Sequence, residues 1–206
     1  MEVYSYNTVR GTSEGFYKEK GSKFLAFSYQ VDNKDAVDSI LTELRKTYYD
    51  ARHHCYAYIL GYGNLIEQRA NDDGEPKHSA GDPILGQIKS FELTNTLIVV
   101  IRYFGGTKLG VSGLINAYKT AAMESIKANI IVTKYIKLTV ELQFPYPSTN
   151  KVMKLIDDFQ IAIVDQTFGE DCLVVGKLKI DRVEDFKAKA ILLQQTGTTL
   201  KTTIIT

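Results

Sequence analysis

Residues 97–110 read Leu97-Ile98-Val99-Val100-Ile101-Arg102-Tyr103-Phe104-Gly105-Gly106-Thr107-Lys108-Leu109-Gly110. The aliphatic run Leu97 to Ile101 is far shorter than the roughly 20 residues of a membrane-spanning helix. Its β-branched character predicts a strand buried on both faces. The glycines end that strand, and beyond them Val111, Leu114, Ile115, Tyr118, Ala121, Ala122 and Ile126 recur at three- and four-residue steps, the period of a long helix with one apolar stripe. A central strand that needs cover on both sides therefore organises this part of the chain.

Upstream, Val3 to Thr8 alternates apolar with polar residues, and Gly15 to Val31 is rich in Phe, Tyr and Val on either side of Gly21-Ser22. Both read as strands, the second turned at Gly21. Ala36, Val37, Ile40, Leu41, Leu44 and Tyr48 then fall at helical spacing behind an Asn/Asp start. His53 to Leu60 returns to strand, with Leu65 to Arg69 as a hairpin partner across Gly61 to Asn64. Asn71-Asp72-Asp73-Gly74-Glu75-Pro76 is a loop, and Asp82-Pro83 predicts the cap and first turn of a short helix.

Downstream the pattern starts afresh: strand Ile131 to Phe144, a helix after Pro147-Ser148, strands Ile161 to Phe168 and Cys172 to Ile180, helix Val183 to Gln195, strand Thr198 to Ile205. This β-α-β-β-α-β order is the ferredoxin-like split βαβ arrangement. The expected fold class is α+β, with two domains, 1–131 and 132–206.

The 206 residues are 44% hydrophobic and 24% charged, an ordinary folded composition. With 25 Lys and Arg against 24 Asp and Glu, the formal net charge of +1 gives no overall attraction to nucleic acid or anionic membrane. Any such binding must come from a local patch. Cys55 and Cys172 lie far apart and outside any CxxC pair, so reduced, buried thiols are expected. Met1 to Arg10 lacks the basic start and apolar centre of a secretory signal, and the expected location is cytoplasmic.

Three groups of residues can carry chemistry. The first is the strand-to-helix junction, where freed backbone N–H groups and a positive helix end suit an anion; its candidates are Arg102, Gly105, Gly106, Lys108 and Gly110, with Lys77 and His78 extending the patch. Gly105 and Gly110 have phosphate-loop spacing, but Val111-Ser112 stands where that motif needs Lys-Ser/Thr, and a tight packing turn is the equal alternative. The second is the acidic loop Asp72, Asp73 and Glu75, which reads either as a solvated turn or as a cation-binding or acid–base cluster. Counting back from Gly74 excludes an EF-hand. The third is His53 and Cys55 on one strand face, where zinc lacks two further ligands and core packing is favoured. Tyr56, Tyr58, Tyr103 and Phe104 can stack on unpaired bases or fill a core.

The segments HHCYAYILG (53–61), NDDGEPKHSAGDPIL (71–85) and RYFGGTKLGVSGLINAY (102–118) together resemble the IMPACT/YigZ family. The likeness runs from about Gly21 to Ala122, and the second half fits the bacterial two-domain branch. The resemblance implies a first domain with the fold of ribonuclease PH, a small-subunit ribosomal protein and domain IV of elongation factor G, and a second like that factor's domain V. It implies translation regulation, with RNA, the ribosome or a protein factor as partner, and no assigned catalytic residue, metal or cofactor. Lys77-His78-Ser79 departs from the small residues that many relatives carry there.

The expectation is thus an RNA- or ribosome-binding protein that holds phosphates at the glycine junction. Its rivals are an enzyme acting on a phosphorylated substrate through Asp72, Asp73 and Glu75, and a protein-interaction regulator that needs no nucleic acid.

Overall fold

The computed structural model describes residues 4–205. Contacts within the chain divide it into two compact units, separated between Lys134 and Tyr135. Secondary structure in both is a mixture of helices and largely antiparallel strands.

The first unit is built on a five-stranded antiparallel sheet. Its strands are β2 (Thr12–Glu19), β3 (Ser22–Gln30), β4 (His53–Leu60), β5 (Glu67–Asn71) and β6 (Thr96–Tyr103), in the order β2-β3-β6-β4-β5. The aliphatic run lies in β6, at the centre of the sheet, and every residue from Thr96 to Arg102 is buried. Alternation divides its side chains between two cores. Ile98 and Val100 join a cluster with residues of α2 (Gly81–Ser90) and α3 (Gly110–Lys127). Leu97, Val99 and Ile101 join another, with Val37, Leu41 and Leu44 of α1 (Lys34–Thr47). The strand is covered on both faces, which is why the stretch between Thr96 and Arg102 is aliphatic throughout.

The last strand begins three residues later than expected, at Lys201, and β2 three residues earlier, at Thr12, and three further boundary shifts have a local cause. The hairpin partner of β4 is Glu67–Asn71, two residues beyond the expected segment, because a short helical turn at Gly63–Leu65 lengthens the connection. Helix α2 starts at Gly81 with Ala80 at the cap position, so Asp82 lies inside the first turn and caps nothing; the α2 amides are satisfied by Asp72 instead. The single strand expected over 131–144 is two, β7 (Ile131–Tyr135) and β8 (Lys137–Pro145). They part at buried Ile136 because β7 pairs with β1 (Ser5–Val9) in a separate ribbon, whereas β8 enters the second unit's sheet. Val3, in the first expected strand, lies outside the described residues.

The second unit contains β8, α4 (Thr149–Asp158), β9 (Ala162–Thr167), β10 (Asp171–Lys179), α5 (Val183–Gln195) and β11 (Lys201–Ile205). The sheet order β11-β8-β10-β9, antiparallel throughout, is that of the split βαβ arrangement. Val140, Leu142 and Phe144 of β8 and Cys172, Val174 and Leu178 of β10 share one face, packed on Val152, Leu155 and Ile156 of α4 and on Phe186 and Ala190 of α5.

Candidate functional site

Arg102 ends the buried strand on the α2/α3 face, where an unpaired guanidinium would be costly. Its Nη1 donates to Glu75 Oε1 at 2.6 Å, with the two side chains only 8% and 4% exposed. The same oxygen accepts from the Tyr118 hydroxyl at 2.8 Å. The thiol of Cys55 has two acceptors within reach of its one proton, the Asp72 carbonyl at 3.0 Å and Tyr118 Oη at 3.3 Å. Phe24 closes the network, its ring edge-on to Tyr118 and 5.6 Å below the guanidinium carbon. Burial pushes both the Cys55 thiol and the Tyr118 hydroxyl up, away from ionisation. Neither is an activated nucleophile.

The acidic loop gives each carboxylate an internal partner. Asp72 accepts from the backbone N–H groups of His78, Ala80 and Gly81 at 2.9, 3.0 and 2.8 Å. Burial alone would raise its pKa, but those N–H groups outweigh it and hold the carboxyl below its ordinary value. The start of α2 is therefore an anion site already filled by the chain itself. Asp73 accepts from Arg45 at 3.0 Å and from the His54 N–H at 2.7 Å, tying α1 to β4. Glu75 neutralises Arg102. Among the described residues, no group of three or more His, Cys, Asp or Glu is placed to hold a metal ion.

The glycine junction is only partly open. A Cβ on Gly105 would fall 1.8 Å from the Gly21 carbonyl carbon, so the junction and the β2–β3 turn touch backbone to backbone. The Gly105 N–H donates to the buried Ser22 hydroxyl at 3.1 Å. Gly106 and Gly110 have positive φ and open space around them. Lys108 is exposed, and α3 begins without a side-chain cap. The expected patch thus separates into parts: Arg102 and Gly105 are committed internally, whereas Gly106, Lys108 and Gly110 face solvent. Lys77 and His78 are exposed on the loop before α2, with His78 Nδ1 2.6 Å from Asp82.

Three lysines absent from the sequence-based candidates join the solvent-facing part. β2 and β3 connect through a two-residue turn, Lys20 and Gly21, both at positive φ. Lys18 and Lys23 sit directly opposite one another across this hairpin, and Lys23 pairs in register with Tyr103. All three lysines are exposed. Among the described residues, Lys18, Lys20, Lys23 and Lys108 make no ion pair. The signal was present in the alternation of β2 and β3, but only the Gly21–Gly105 contact brings the hairpin to the junction. Of the aromatics, Tyr56 and Tyr58 are core residues under α1, whereas Phe104 is exposed.

A model of the Impact N-terminal domain matches residues 20–126. The IMPACT family member YvyE of Bacillus subtilis is 31% identical over 169 residues, covering 82% of this chain and 77% of its own. YigZ of Escherichia coli is 29% identical over 171 residues, covering 82% and 84%. The protein IMPACT homolog of Dictyostelium discoideum is 39% identical over 95 residues, covering 45% of this chain and 27% of its own. A crystal structure of a hypothetical protein superposes with a TM-score of 0.72 at 25% identity, over 100% of this chain and 99% of that one.

Proposed function

The chain belongs to the IMPACT family, and from that premise we propose that it is a cytoplasmic RNA- or ribosome-binding protein acting in the control of translation. The reading takes residues 1–131 as an IMPACT-type domain with the fold of ribonuclease PH and domain IV of elongation factor G. It takes residues 132–206 as a ferredoxin-like module resembling that factor's domain V.

The observation that carries the reading is the cluster of four unpaired lysines, Lys18, Lys20, Lys23 and Lys108, gathered at one end of the sheet around the glycine junction. In a chain of net charge +1 this is a local concentration of cations without internal partners. The amides at Gly106 and the uncapped start of α3 add donors for phosphate oxygens. Arg102 contributes indirectly, by keeping the strand end in place. Lys77, exposed on the loop before α2, adds a further cation to the reading, whereas His78 beside it is paired with Asp82.

The three carboxylates of the acidic loop are engaged in holding α2, β4 and Arg102, which weighs against their use on a phosphorylated substrate. The protein-partner alternative separates from RNA binding by experiment. Purified ribosomes and total RNA are titrated against the protein at rising salt, with a variant carrying Lys18, Lys20, Lys23 and Lys108 all changed to Gln. Direct phosphate contacts make log K fall with log salt by about 0.7 per phosphate on single strands, and the variant flattens that slope. Absence of binding at low salt, with a partner retained from nuclease-treated lysate, overturns the reading.

A further inference from the structure

The face of the five-stranded sheet that packs on α1 is not wholly covered by it. The helix buries Val37, Leu41 and Leu44 against Phe27, Tyr56, Tyr58, Leu97, Val99 and Ile101. At the corner where β2, β3 and β6 meet the glycine junction, Phe16, Gly21, Lys23, Leu25, Tyr103 and Phe104 line a shallow cavity of about 480 Å³ to which α1 contributes nothing. Phe16 is 53% exposed and Phe104 58%. Two phenylalanine rings held open to water beside one hollow are unexpected on a surface that needs only solubility.

The charged residue lining the hollow is Lys23. Lys18 and Lys23 face each other across the hairpin on the same side of the sheet as Phe16, an arrangement of like charges that costs stability in the free protein. The nearby acids are turned to other tasks: Asp50 accepts the Tyr103 hydroxyl at 2.8 Å, and Glu19 lies on the opposite face beside the Tyr17 hydroxyl. Glu14, on the Phe16 face, sits farther along β2 from the hairpin turn than Phe16 and Lys18, opposite Phe27. The Phe104 ring is held by the guanidinium of Arg102, 5.6 Å from its centroid, and that guanidinium is anchored by Glu75. The ring is therefore presented by a buried support.

Exposed aromatic faces flanked by uncompensated lysines suit a ligand with flat apolar faces strung on a polyanion. We infer that this corner binds single-stranded RNA, with unpaired bases stacked on Phe16 and Phe104 and the backbone phosphates between Lys18, Lys23 and Lys108. The inference rests on the RNA-binding reading above and specifies which form of RNA is held. A duplex hides its base faces within the stack and offers these rings nothing.

The test uses the whole chain and two fluorescently labelled RNA probes of equal length, an unstructured 12-mer and a duplex, measured by anisotropy at low salt. The single strand is expected to bind more tightly than the duplex. Phe16→Leu and Phe104→Leu are each expected to weaken it about five- to hundredfold, the range for loss of one stacked base, while leaving duplex binding unchanged. Both positions are exposed, and unfolding curves verify that the variants fold. Because the chain has no tryptophan, Phe104→Trp provides a unique fluorophore expected to be quenched by the bound single strand. Equal affinity for both probes, or single-strand affinity unmoved by both Leu variants, overturns this inference while sparing the lysine-based reading. No binding of either probe or of ribosomes removes both.

Discussion

Glu75 and Arg102, 27 residues apart in sequence, form a buried ion pair with 2.6 Å between Oε1 and Nη1. The acidic loop crosses the end of the central strand to neutralise the one charge that strand carries inward. A buried pair of this kind contributes little net stability compared with apolar residues of the same shape, but breaking it is expensive. Glu75→Gln is therefore expected to destabilise the first unit by about 3–5 kcal/mol, because the guanidinium stays behind uncompensated. Adding Arg102→Met to that variant is expected to restore most of the loss. Urea denaturation of the two variants and the parent checks both.

The two glycines of the junction should respond differently to one methyl group. At Gly105 a Cβ would collide with the Gly21 backbone, which cannot yield without moving the hairpin. Gly105→Ala is expected to cost about 4 kcal/mol or more. At Gly106 there is space, and only the positive φ resists. Gly106→Ala is expected to cost about 1–2 kcal/mol. Thermal unfolding of the pair separates steric contact from backbone conformation.

Asp72 makes stability depend on acid. Its carboxylate is held below the ordinary aspartate range by the α2 amides, so the folded state binds the proton more weakly than the unfolded chain does. The stabilisation is complete above about pH 4, the unfolded value, and is lost as pH falls through the lower folded value. Asp72→Asn is expected to be less stable at pH 7, by about 0.5–2 kcal/mol for a lost helix cap, and to converge on the parent at acid pH. Denaturation curves from pH 7 down to pH 2 measure the convergence.

Lys18 and Lys23 set stability against binding. Replacing one of two facing like charges by its opposite should stabilise the hairpin by about 0.2–1 kcal/mol. Lys18→Glu is thus expected to raise the melting temperature slightly while weakening RNA binding. A variant that gains stability and keeps its RNA affinity would mean that this pair takes no part in binding.

Both thiols are buried, and burial raises that of Cys55. Neither is expected to react with a disulfide reagent in the native protein at pH 8, and both should react once urea unfolds it. Counting thiols with and without denaturant measures this, and fast native labelling of Cys55 would place it on an opening, reactive surface.

Much of the architecture was legible because it depends on local periodicity. The doubly buried β6 follows from an uninterrupted β-branched run, and α5 begins and ends at the expected residues, Val183 and Gln195. The break at Ile136 was not legible, since both halves of that segment alternate as strands and only their different partners separate them. The site was less legible for a related reason. Arg102 after five aliphatic residues requires a buried counter-charge, and the run of three acids upstream supplies it, yet no spacing rule joins residues so distant in sequence. Phe16 and Lys18 share a strand face by simple alternation, but which face stays wet depends on where α1 ends.

The Gly21–Gly105 contact joins two turns from different parts of the chain with no side chain between them. Other members of the family that keep this hairpin against this junction must keep both positions bare together. A bulkier residue at either one would mark a homologue whose hairpin has swung away, and whose lysines no longer gather where these do.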